Sequence, residues 1–144
     1  MPLKIGNILF SIYLSVFLFL MRLLLIIGAG GFIGSILRYL TSKLIQQYML
    51  SSFPYGTLAV NVLGCFLLGV VYALAEKNAI VSDEMRLFLT VGICGGFTTF
   101  STFANENMSF LRDGEFFQFA LYASVSLLLG LLALYLGNVT IKIF

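Results

Sequence analysis

The sequence predicts an all-α membrane protein with four transmembrane helices, the third broken near its centre. Three observations lead there. First, 60% of the 144 residues are hydrophobic, only 10% are charged, and the mean hydropathy is +1.06. A soluble domain of this size needs more charge to cover its surface. Second, charge-free runs cover Tyr55 to Ala75 (21 residues), Leu87 to Asn105 (19) and Phe116 to Ile141 (26). Each can cross a hydrocarbon core of ~30 Å at ~1.5 Å per residue, and only a helix satisfies its own backbone within one such segment. Third, Gly95-Gly96 falls in the middle of the third run, ahead of a β-branched, hydroxylated stretch. Each glycine weakens a helix by about 1 kcal/mol relative to alanine, and the threonines that follow favour other hydrogen bonds.

The first helix is less regular. Leu23 to Leu37 is 15 uncharged residues between Arg22 and Arg38, about 22 Å of helix. The helix is expected to run on to about Thr41, with Arg38 near the membrane edge, snorkelling or facing a vestibule. Ile5 to Met21 adds another 17 uncharged residues. Joined to the first helix they would make one implausibly long rod. Three readings stand for residues 1–20: an upstream extension from a mistaken start, with the native start at Met21; a signal peptide lacking a clear cleavage site; or a fifth helix. The extension is favoured, and the functional argument leaves it aside.

The predicted links are short: Ser42 to Pro54, with Phe53-Pro54 as a helix-entry signal; Glu76 to Arg86; and Glu106 to Glu115, a turn containing Arg112-Asp113-Gly114. They leave no room for an extramembrane enzyme domain. A net charge of +2 without a basic run points away from nucleic acid. No histidine is present, which removes the commonest general base and metal ligand. Cys65 and Cys94 lie in apolar stretches and read as small buried hydrophobes. Arg22, Lys77, Arg86 and Lys142 (with Lys4) fall on one side of the bilayer, and Arg38, Lys43 and Arg112 on the other. So weak a bias permits insertion in both orientations, and hence antiparallel pairing of two copies.

Several small constellations carry the chemistry. Gly28-Ala29-Gly30-Gly31-Phe32-Ile33-Gly34 spaces its glycines wrongly for a dinucleotide turn; Gly30 and Gly34 read instead as a helix-packing pair. Thr57 and Asn61 share a face of the second helix. Spacing alone leaves Asn61 either an interhelical glue or a pore-lining amide that donates to an anion. At the predicted break, freed carbonyls must find a partner, and a cation can serve. Phe100 and Phe103 share a face beyond it. Phenyl edges are positive and can face an anion without gripping it. Tyr122, Ser126 and Gly130 recur at spacing four on the fourth helix, where hydroxyls either line a path or pack against neighbours.

Together, Gly30-Gly31-Phe32-Ile33-Gly34 with Arg38-Tyr39, Phe53-Pro54-Tyr55-Gly56-Thr57-Leu58 with Val60-Asn61, and Gly95-Gly96-Phe97-Thr98-Thr99-Phe100-Ser101-Thr102-Phe103 strongly resemble the CrcB/Fluc fluoride channels. The resemblance covers Met21 to the C-terminus, so residues 21–144 are expected to form a single four-helix channel domain. It implies a multi-pass protein of the cell membrane, not an enzyme, that exports fluoride passively as an antiparallel homodimer with two pores. It implies a structural sodium ion that is not transported, held by the backbone carbonyls of Gly95 and Thr98. The fluoride pathway maps onto Asn61, Phe100 and Phe103, with Thr57, Ser101, Thr102, Tyr122 and Ser126 secondary. Arg38 and Glu106 map onto the vestibule. Where the family's hydroxyl strip ends in serine, this chain has Gly130. The rivals are a dual-topology proton-coupled exporter, which needs a carboxylate inside a span, and a non-transporting membrane subunit. The sequence reading places every Asp and Glu at or beyond a helix end, which counts against the exporter.

Overall fold

The structure, a computed structural model, describes residues 2–77 and 82–143. Among these, four helices are long and apolar enough to cross a membrane. α1 runs Pro2–Met49, α2 runs Tyr55–Lys77, and α6 runs Phe116–Ile143. The third span, Asp83–Arg112, is built from pieces: α3 (Asp83–Leu87), a π-helical stretch (Phe88–Cys94), α4 (Gly95–Phe97) and, after two extended residues, α5 (Phe100–Arg112). Residues 78–81, in the middle of the link between the second and third spans, lie outside the described residues.

α1 departs from expectation in length. It is one uninterrupted helix of 48 residues, about 72 Å long, and does not stop near Thr41. Nothing between Phe17 and Ile27 is a proline or glycine, so the backbone has no reason to leave the helix where the upstream segment meets the span. The rod judged implausible from sequence is therefore the conformation found. Leu9 to Leu20 are largely exposed along it, and Arg22 pairs with Glu84 at 2.8 Å. Its C-terminal end overruns too, so the first link shrinks to residues 50–54. Gln46 organises that link: its Nε2 donates to the carbonyls of Ser51 (2.6 Å) and Phe53 (3.1 Å), and its Oε1 accepts from the Gly56 N–H (3.2 Å).

Two close helix crossings set the packing. α1 lies along the first half of the third span. A Cβ added at Gly30 would sit 2.6 Å from the Phe88 carbonyl oxygen, and one at Gly34 would collide with the Ile93 carbonyl, as expected of the Gly30/Gly34 pair. α6 packs along α2, and a Cβ at Gly137 would collide with the Phe66 carbonyl while one at Gly69 would collide with that of Leu134. Helices in lipid associate through such close packing, because the surrounding tails are as apolar as the side chains. The outward surface is correspondingly rich in Leu, Phe and Tyr, which suits a lipid solvent and would be a liability in water.

The turn from the third to the fourth span is much shorter than the predicted 106–115. α5 continues to Arg112 and closes with Glu115 N–H on the Phe110 carbonyl (2.8 Å) and Gly114 at φ +76°, a left-handed C-terminal cap.

Candidate functional site

The break in the third span exists, just past the double glycine, at Thr98-Thr99. Gly95 and Gly96 are helical, and the extended residues are Thr98 (φ −81°, ψ 159°) and Thr99 (φ −148°, ψ 116°). Gly96 serves packing: a Cβ there would lie 2.6 Å from the Gly31 carbonyl oxygen. The hydroxyls make the break. Thr98 N–H and Oγ1 both donate to the Cys94 carbonyl (2.9 and 3.0 Å), closing α4. Thr99 Oγ1 accepts from the Thr102 N–H (3.2 Å) and donates to Thr102 Oγ1 (2.9 Å), opening α5 as its N-cap.

Asn61 secures the gap. Its Oδ1 accepts from the Thr99 N–H at 2.8 Å, and its Nδ2 donates to the Thr99 carbonyl at 3.1 Å. Both backbone groups of Thr99 are thus satisfied by one amide, as apolar surroundings demand. Of the two sequence readings of Asn61, interhelical glue is realised. The second N–H of the same amide remains for another acceptor.

Two hollows flank the break. One, of about 520 Å³, is an apolar groove lined by Asn61, Gly95, Thr98, Thr99, Phe100, Phe103 and Ser126, among others. The other, of about 540 Å³, is lined by Arg38, Lys43, Thr57, Thr99 and Thr102 together with further hydroxyl and amide side chains, and no acid. Thr99 belongs to both, so the extended pair forms part of the wall between them. Arg38 Nη1 reaches the Thr98 carbonyl at 3.4 Å, and Lys43 stands 5.5 Å over the Tyr39 ring. The two hollows thus differ sharply in charge.

The aromatic residues are not equivalent. Phe100 is 80% exposed on this single chain, whereas Phe103 is half-buried against Tyr122 (ring centroids 5.1 Å apart). The two phenyl rings lie 5.9 Å apart. Ser101 is exposed and lies 3.4 Å from Thr99 Oγ1. Ser126 faces the groove, and its Oγ is one of two buried side-chain polar atoms without a hydrogen-bond partner among the described residues.

Glu106 corrects the sequence reading most. It is not in a link. It lies inside α5, where Thr57 Oγ1 donates to its Oε1 at 2.6 Å and Tyr122 OH to its Oε2 at 2.7 Å. Counting charge-free residues ends a helix at the first carboxylate. Here two hydroxyls from α2 and α6 satisfy that carboxylate, so the helix passes through it. The absence of a carboxylate within a span, used above against a proton-coupled exporter, therefore does not hold. Glu106 is also one hydroxyl behind the polar hollow and not on its lining. Tyr122 is fully buried and reaches neither hollow.

Gly95 and Thr98, the expected sodium ligands, both border the apolar groove. The regular helical donor to the Gly95 carbonyl, the Thr99 N–H, is turned to Asn61, so that oxygen suits a hard cation. The Thr98 carbonyl already has Arg38 near it, though at a long 3.4 Å.

Sequence reading missed Thr99 and Gln46 as organisers. Thr99 had a signal, a hydroxyl residue three positions ahead of another at a helix start; Gln46 had none, because its partners are backbone groups of the link and of the first turn of α2.

A four-span helical membrane protein with one span interrupted, and with a polar and an apolar hollow meeting at the interruption, belongs to the transport class of integral membrane proteins. Residues 25–138 match the family model described as CrcB-like protein, Camphor Resistance (CrcB), and the chain belongs to that family. Similar proteins include the fluoride-specific ion channel FluC of Chlorobium phaeobacteroides (strain BS1), 48% identical over 121 residues, which are 84% of this chain and 94% of the relative. That of Phocaeicola vulgatus is 49% identical over 117 residues, 81% of this chain and 96% of the relative. That of Flavobacterium psychrophilum is 42% identical over 122 residues, 85% and 98% respectively.

Proposed function

We propose that the protein is a fluoride-selective channel that lets fluoride leave the cell down its gradient. The observation that carries this is the meeting of a basic, hydroxyl-lined hollow with an aromatic groove at Thr98-Thr99, in a chain nearly half identical to proteins named fluoride-specific channels.

Fluoride is small and tightly hydrated, so losing water is the barrier. Arg38 and Lys43 attract the anion into the polar hollow. Thr57 and Thr102 offer hydroxyls there, and a fluoride that takes the Thr57 donor competes with Glu106 for it. Past the break, the spare Asn61 N–H and the Phe100 and Phe103 ring edges replace the remaining water weakly enough to permit release. Because α5 must keep one register for these groups to converge, Asn61 both builds the site and serves it.

The working unit is an antiparallel homodimer with two pores. The 80% exposure of Phe100 and the open groove beside it support this, since a second copy would cover them. One sodium ion, not itself transported, would sit between the copies. It would be held by the carbonyls of Gly95 and Thr98 from each copy, adding positive potential near the path.

The test is efflux from liposomes containing the purified protein, read with a fluoride electrode, with chloride as the comparison ion. Fluoride-selective loss is expected, and its absence would leave a non-transporting subunit. Imposing a proton gradient tests the exporter reading, revived by the position of Glu106: a channel's fluoride flux requires none. Exchange of all sodium for potassium is expected to abolish the flux, and full activity in potassium would remove sodium from the assembly.

A further inference from the structure

The second and fourth spans run side by side in the same direction and carry matched positions at every fourth residue, each step about 6 Å along the helix. On α2 these are Thr57, Asn61 and Cys65; on α6 they are Tyr122, Ser126 and Gly130. Thr57 and Tyr122 are joined through the two oxygens of Glu106. Asn61 and Ser126 line the apolar groove with the two phenylalanines, and the Ser126 hydroxyl is buried with nothing to bond. At the third level Gly130 contributes no side chain. A Cβ there would lie 3.6 Å from Cys65 Sγ, so the thiol stands next to the vacant position. Cys65 and Gly130 both line the groove, which continues to Thr90 and Cys94.

We propose that Cys65 is the third donor station of the anion path, its S–H contacting the halide where α6 presents only Gly130. This rests on the fluoride reading and adds a residue to it. A thiol is a free, uncharged and weak donor. It can touch an anion that has left the Asn61 level without trapping it, which conduction through successive sites requires. The Ser126 hydroxyl one step away is an independent observation on the same wall: a buried donor with no protein acceptor, which leaves it available to an anion.

The test compares fluoride efflux from liposomes for the full-length protein and for Cys65→Ala, Cys65→Ser and Cys65→Ala/Gly130→Ser, with the assembly state checked by size-exclusion chromatography. Cys65→Ala is expected to slow efflux about two- to tenfold, the worth of one modest hydrogen bond. Cys65→Ser is expected to match or exceed the parent. A serine at 130 is expected to restore flux to the alanine variant, because it supplies a donor from the opposite wall. Equal flux for the parent and Cys65→Ala would overturn the proposal, as would equal slowing by alanine and serine, which marks a packing role. Flux in the parent with either of those results leaves the channel reading intact. No fluoride flux in the parent defeats both.

Discussion

The two halves of the third span are held in the protein by opposite means. Before the break, the π-helical stretch and α4 lie backbone to backbone against α1, with Gly30, Gly34, Gly92 and Gly96 allowing the approach. After it, α5 is fixed by side chains: Asn61 on Thr99, and Thr57 and Tyr122 on Glu106. The first half is a matter of shape in a medium with no hydrophobic drive between helices. The second is a matter of directed hydrogen bonds, which are strong where water is absent and expensive to leave unmade. The contrast separates anchoring from the proposed function, since the hydrogen-bonded half carries the groups proposed to face the ion.

Substitutions at the two halves should therefore fail differently. Gly34→Leu should have the largest effect, because its Cβ meets backbone that cannot swing aside. A loss of about 3 kcal/mol or more is expected, read as loss of monodisperse protein in detergent; a well-behaved Gly34→Leu protein would show that the crossing is looser than this. Asn61→Ala should come next. It strands both Thr99 backbone groups, at about 2–4 kcal/mol in total, lowering the unfolding temperature and abolishing fluoride flux together. Flux that survived would mean that α5 holds its register without the clamp.

The aromatic pair sharpens the comparison further. Phe100→Ile and Phe103→Ile are each expected to cut flux by up to about tenfold while the proposed homodimer survives in size-exclusion chromatography. Only Phe103→Ile should also lower thermal stability, because Tyr122 packs on that ring and Phe100 is free of it within one chain. Unchanged flux in both would take ring edges out of the mechanism. The smallest effect belongs to the Arg22–Glu84 pair at the membrane edge, which is two-thirds exposed on the arginine side. Arg22→Gln should cost less than about 1 kcal/mol and leave flux unchanged; a marked loss would give the upstream half of α1 a role in the channel.

Hydropathy and charge spacing alone were enough for the four spans, because each helix in lipid must satisfy its own backbone and announces itself as an uninterrupted apolar run. The break was also legible, since its cause is local: hydroxyl side chains at Thr98 and Thr99 that compete with helical bonding. It begins at Thr98, two residues past Gly96. Hidden in the sequence is the role of Gly96, which admits α1 and has that role only once α1 is there. Asn61 was visible as a costly residue in need of a partner, but not which partner. Glu106 was misread altogether. A carboxylate ends a span when its surroundings are lipid and lies within one when two hydroxyls reach it. Those hydroxyls, Thr57 and Tyr122, are 49 and 16 residues away in the chain. Which groups are wet, paired or stranded is a property of neighbours from other helices, and only packing brings those neighbours within hydrogen-bonding distance.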